Sequence, residues 1–187
     1  MTTLSSFTPE EVDLIISLPY RVGMHVSYSE DEGGELDDTL EIKALGSTLR
    51  EFAQKADDGS LIREVASAAL ESKDKWEAWS QGVFNIEPLC EKAVTTLKTK
   101  ANTDEIKGYI RMCLNVAHGV AQAYGEFGED DHDDVAQSSG IIGKIMEELS
   151  KVMPSMKGQE AHHPMNISAA EDSAIERIGA AMKKALG

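Results

Sequence analysis

The sequence predicts an all-α protein, a single compact bundle of about eight helices, and three observations carry that prediction. Ala, Leu, Glu and Lys, the strong helix formers, abound in a chain of 187 residues with only 5 Pro. Apolar residues recur three and four apart in one segment after another, which is the spacing of a single helix face. Thr8-Pro9-Glu10-Glu11 and Ser168-Ala169-Ala170-Glu171 each place a hydroxyl three residues before a Glu, the signature of a capping box. A chain of this length buries roughly 70% of its unfolded surface as one domain, so residues 1–187 are read as a single unit, with an internal helix, acidic loop, helix duplication suggested by two look-alike stretches.

Taken in order, Thr8 is placed to accept from the backbone at Glu11, Pro9 suits the first turn, and Phe7 and Val12 flank the start as a hydrophobic staple. Val12, Ile15 and Ile16 form the stripe of a short first helix. Pro19 removes a donor and crowds the preceding turn, so a break is expected near Leu18, with a second helix over 19–28. The acidic, Gly-containing stretch 29–35 reads as a loop, and the next helix is expected from Asp37 or Asp38 with Leu45, Leu49 and Phe52 inward.

Asp57-Asp58-Gly59-Ser60 is a turn and cap before Leu61, Ile62, Val65, Ala66, Ala69 and Leu70 at helical spacing. Trp76 and Trp79, three apart, are expected to pack against the bundle. Asn85-Ile86-Glu87-Pro88 opens a helix to about Lys100. Asn102 caps a long helix striped by Ile106, Tyr109, Ile110, Cys113, Val116, Ala117, Val120 and Tyr124, the expected centre of the fold. Ile142, Ile145, Met146, Leu149 and Met153 mark another helix closed by Pro154; 155–167, with His162 and His163, reads as a loop, and Ile175, Ile178, Met182 and Leu186 stripe a terminal helix.

With 33 Asp and Glu against 18 Lys and Arg, the formal net charge of -15 repels phosphate backbones and anionic membranes and disfavours nucleic acid as a partner. The same charge suits cations or a basic protein. Cys90 and Cys113 have no metal-ligand or redox spacing and fall on apolar faces, so both are read as reduced core residues. The first residues lack a basic then apolar leader pattern, and no apolar run reaches the ~20 residues of a membrane span, so a cytoplasmic location without membrane insertion is expected.

The look-alike stretches are Val26-Ser27-Tyr28-Ser29-Glu30-Asp31-Glu32-Gly33-Gly34-Glu35-Leu36-Asp37-Asp38 and Val120-Ala121-Gln122-Ala123-Tyr124-Gly125-Glu126-Phe127-Gly128-Glu129-Asp130-Asp131. Setting Gly34 over Gly125 puts Leu36 over Phe127, Asp38 over Glu129 and Glu41 over His132, with His25 and His118 matched after a two-residue offset. Several carboxylates on one short loop repel each other until a hard cation such as Ca2+ or Mg2+ relieves them. Solvated helix-start acids are the plain alternative, and neither loop has the alternating ligands, sixth-position Gly and twelfth-position Glu of an EF-hand.

Both stretches resemble the tellurite-resistance TerB-like family, in which a helix ending in Ala-Asp-Gly-Glu and an apolar residue runs into acidic residues that start the next helix, twice. Gly33-Gly34 and Tyr124-Gly125 stand here where the family has Asp-Gly, and Gly59 to Lys100 and Ser155 to Gly187 fall outside the resemblance. It implies an all-helical fold, a role in bacterial stress response or metal resistance without known catalysis, and divalent-cation ligation. The positions it points to are Glu35, Asp37, Asp38 and Glu41 in the first loop and Glu126, Glu129, Asp130 and Asp131 in the second.

Two other classes stay open beside this one. An acidic interaction module would dock a basic protein without metal. A metal-dependent hydrolase would need Glu-Glu-x-x-Glu facing Glu-x-x-Asp, of which only Glu71 and Asp74 supply a part. Glu129 with His132 and Glu160 with His163 have di-iron spacing but lie in polar segments rather than inside apolar helices. His25, beside Val22 and Val26, and His118, on the polar side of its helix with Arg111, Asn115 and Gln122, read as boundary or solvated histidines.

Overall fold

A computed structural model describes residues 1–29, 35–125 and 167–187, and all regular structure among them is helical. Seven α-helices follow one another: α1 (Pro9–Ser27), α2 (Glu35–Lys55), α3 (Leu61–Glu71), α4 (Trp76–Ser80), α5 (Glu87–Lys98), α6 (Thr103–Gly125) and α7 (Ala169–Leu186). A short 3-10 turn at Leu4–Ser6 precedes α1, and others at Lys73–Lys75 and Val83–Asn85 lead into α4 and α5. The expected helix over 142–153 and the loop of 155–166 lie outside the described residues.

The caps of α1, α3, α6 and α7 are where the sequence puts them, whereas α5 starts after Ile86 without a side-chain cap. Thr8 Oγ1 accepts from the Glu11 backbone and Glu11 returns the bond to Thr8, while Ser168 and Glu171 do the same for α7. Ser60 accepts from the Arg63 backbone at the head of α3, and Asn102 Oδ1 accepts from Asp104 and Glu105 at the head of α6. Glu105 also accepts from the Thr2 backbone and hydroxyl, which ties the first residues to the start of α6.

α1 corrects one expectation. It runs unbroken through Pro19, so there is no break near Leu18 and no separate helix over 19–28. Proline leaves the carbonyl of Ile15 without its helical donor, and the hydroxyl of Tyr109 on α6 donates to that carbonyl at 2.9 Å, deep in the core. Leu18, Tyr20 and Val22 around the site are all buried, so apolar burial offsets the roughly 3 kcal/mol that an interior proline costs.

α6 and α1 share the centre: α6 packs against α1, α2, α3, α5 and α7, and α1 against all six of the other described helices. Its register on α1 is set at two points: Ile15 lies opposite Tyr109, and Gly23 opposite Val116 and Val120. Both numbers rise together, so α1 and α6 run parallel. α2 runs the other way, with Glu41 against Ser27 and Leu45 against Gly23, so its numbers rise as those of α1 fall. A methyl on Gly23 would stand 2.7 Å from Leu45 and 3.2 Å from Val116, so the three backbones approach closely there because one of them has no Cβ.

The core takes the predicted stripes: Leu45, Leu49 and Phe52, then Leu61, Val65, Ala66 and Ala69, then the α6 row from Ile106 to Val120, then Ile175, Ile178 and Met182. Trp76 and Trp79 are both buried and share Tyr20, whose ring lies 4.8 Å from the first and 6.1 Å from the second. Cys90 and Cys113 are buried free thiols; burial pushes Cys90 up to about 12 and Cys113 well above the ordinary thiol range. Among the described residues no helix is long and apolar enough to cross a membrane.

Candidate functional site

Parallel α1 and α6 with antiparallel α2 have a topological result: α1 and α6 finish, and α2 begins, at one end of the bundle. Both acidic stretches therefore depart from that end. At it, Ser29 closes α1 by donating from its hydroxyl and its backbone to the carbonyl of Val26. Glu41, two turns into α2, is 5% exposed, and its carboxylate accepts from the hydroxyl of Ser27 at the last residue of α1. A buried carboxylate needs such donors or a cation, because taking the charge out of water is expensive.

Of the eight sequence-derived ligands, Glu41 is the one whose side chain is described. The backbones of Glu35, Asp37 and Asp38 occupy the first turn of α2, where the positive end of the helix dipole favours carboxylates. Glu126, Glu129, Asp130 and Asp131 lie outside the described residues, as do His132, Glu160, His162 and His163. Among the described residues no three His, Cys, Asp or Glu side chains come together as a metal cage. Of the hydrolase pattern, Glu71 ends α3 and Asp74 stands exposed in the turn beyond it.

Sequence reading missed the histidine at this end. His25 is 6% exposed rather than solvated or at a boundary. Its Nδ1 lies 2.8 Å from the carbonyl of Val83, which requires Nδ1 to carry the proton, and Nε2 is buried without a hydrogen-bond partner among the described residues. Burial holds His25 below the ordinary imidazole range, opposed in part by the Val83 carbonyl. The signal was present in Val22 and Val26, which put position 25 on the buried side, but its acceptor comes from a turn 58 residues away. His118 is half-buried, its Nε2 also without a partner among the described residues, and burial lowers its pKa against the pull of Asp172.

Next to His25, Gly82 adopts a left-handed φ of 78° that turns the chain into Val83–Asn85 and leaves Phe84 outside. Phe84 is 75% exposed and stacks on Tyr28, which is 41% exposed, with ring centroids 6.0 Å apart. An aromatic pair thus sits in water beside the end from which the acidic stretches leave. Comparison with family models, with characterised proteins and with solved structures gives no match for this chain.

Proposed function

We propose that this chain is a non-enzymatic, cytoplasmic helical protein of the TerB-like kind, active in stress or metal-resistance responses, that holds a divalent cation, Ca2+ or Mg2+, at the end of the bundle where α1, α2 and α6 meet. The supporting observation is the shared end itself, with the buried Glu41 carboxylate bonded to Ser27 there. A cation bridging acids from both stretches would tie the α1–α2 connection to the segment after α6. Melting of chelator-stripped protein titrated with Ca2+, Mg2+, Mn2+ and Zn2+ tests it. Saturation at a hundred times Kd adds about 2.7 kcal/mol, or roughly 5–10 °C for a chain of this size. Alanine at Asp37, Asp38, Glu129 and Asp130 should abolish the rise; a rise that survives all four substitutions sinks the assignment.

A second reading, an acidic module that docks a basic protein, draws on the Tyr28 and Phe84 pair, since an exposed aromatic beside like charge is the composition of an interaction patch. Salt-sensitive capture of a basic partner, lost in Phe84→Ala and indifferent to chelator, would favour it over the cation site.

A further inference from the structure

In a chain with so large an excess of acid, one concave surface carries the opposite sign. Between α2 and the turn that leads into α4 lies a groove of about 530 Å³ lined by Lys43, Arg50, Lys73, Ser47, Gly46 and Trp76 together with Ile42 and Ala44. Among the described residues no carboxylate lines it. Lys55, Arg63, Lys75, Arg177 and Lys184 each meet an acid, whereas Lys43, Arg50 and Lys73 pair with no carboxylate of the described residues. A cleft lined by one sign focuses field even when the net charge of the molecule opposes it.

The floor is buried and bonded in place, and the basic rim is exposed. Trp76 is held by its Nε1 donating to the carbonyl of Ala69 at 3.0 Å and by Tyr20 packed on its ring. Gly46 faces the far edge of the indole, where an added Cβ would stand at an ordinary 3.8 Å, so α2 passes directly beside the Trp76 ring. Lys73 rests its ammonium 5.6 Å from the ring centroid, a cation held by a π face and not by an acid. Lys43 and Arg50 stand two turns apart on one face of α2, about 10 Å along the axis, with Lys73 across from them. One small monoanion cannot span cations so placed, whereas linked tetrahedral anions can, with Arg50 offering a fork and the lysines point charges.

We propose that this groove binds a short polyphosphate anion, either free or as the phosphate tail of a nucleotide. Binding draws Lys73 off the Trp76 ring and so changes indole emission. The test is titration of the intact protein, in chelator so that the proposed cation site is silent, with pyrophosphate, tripolyphosphate and ATP, followed by Trp fluorescence and calorimetry. Saturable 1:1 binding is expected, weakened about fivefold or more by each of Lys43→Ala, Arg50→Ala and Lys73→Ala. It should be unchanged by Lys92→Ala and Lys100→Ala, two exposed lysines elsewhere on the surface, and should weaken between about 50 and 200 mM salt. Tighter binding of ATP than of tripolyphosphate identifies the nucleotide source, and the reverse identifies the free anion. Absence of saturation with all three anions, or equal weakening by the Lys92 and Lys100 substitutions, overturns the proposal. Circular dichroism of each variant confirms that a loss belongs to the groove and not to the fold.

Discussion

Tyr109 and His25 each bond a backbone carbonyl of another element, and each makes a residue-level prediction. Tyr109→Phe keeps the ring and strands the Ile15 carbonyl in the core, which should cost about 1–3 kcal/mol in urea unfolding. Pro19→Ala restores the backbone donor to that carbonyl, so Tyr109→Phe should be much less costly in that background; additive effects would show that the bond does not serve the proline. For His25 and His118 the folded-state pKa is lowered by burial, so the unfolded chain takes up the proton first as pH falls. Their neutral forms contribute stability that is full above the ordinary value of 6.5 and is lost as pH drops below it. His25→Asn, whose amide can still donate to Val83, should flatten the melting temperature between about pH 7 and 5. A slope identical to that of the native chain would place the titration elsewhere.

Helix starts and stripes were legible because they are local: a hydroxyl three residues before Glu11 or Glu171 and apolar residues at i, i+3 and i+4 act within one helix. The continuity of α1 was not, since the donor that satisfies the Ile15 carbonyl lies 94 residues from it, on α6. Glycines separate the same way. Gly23 sits where α1, α2 and α6 converge, so Gly23→Ala should destabilise by about 1–3 kcal/mol through overpacking. Gly46, also inside a helix, has its nearest neighbour at 3.8 Å, so Gly46→Ala should stabilise by roughly 0.5–1 kcal/mol. Urea midpoints of the two variants moving the same way would refute this account of helix approach.

At the scale of the whole molecule, acidity was legible from composition, but its arrangement depended on topology. That the two acidic stretches leave from one end follows from α1 and α6 running parallel, which neither stretch encodes alone. The basic groove was equally hidden, because Lys43 and Arg50 meet Lys73 only when α2 packs beside the turn into α4. Five described ion pairs, at Lys55, Arg63, Lys75, Arg177 and Lys184, all involve partly or well exposed side chains and contribute little. Self-repulsion of a net charge of -15 should therefore outweigh them, and melting temperature should rise as salt goes from about 20 to 200 mM. A fall would mean that the pairs dominate.

The hydroxyl on the Ile15 carbonyl also orders events in time. During synthesis the first helix emerges with a proline at its middle and nothing to satisfy the carbonyl it strands, apart from water. Its donor is made 94 positions later. Until α6 has left the ribosome and docked, that carbonyl has no protein donor, so the continuous first helix acquires its last internal partner only on assembly.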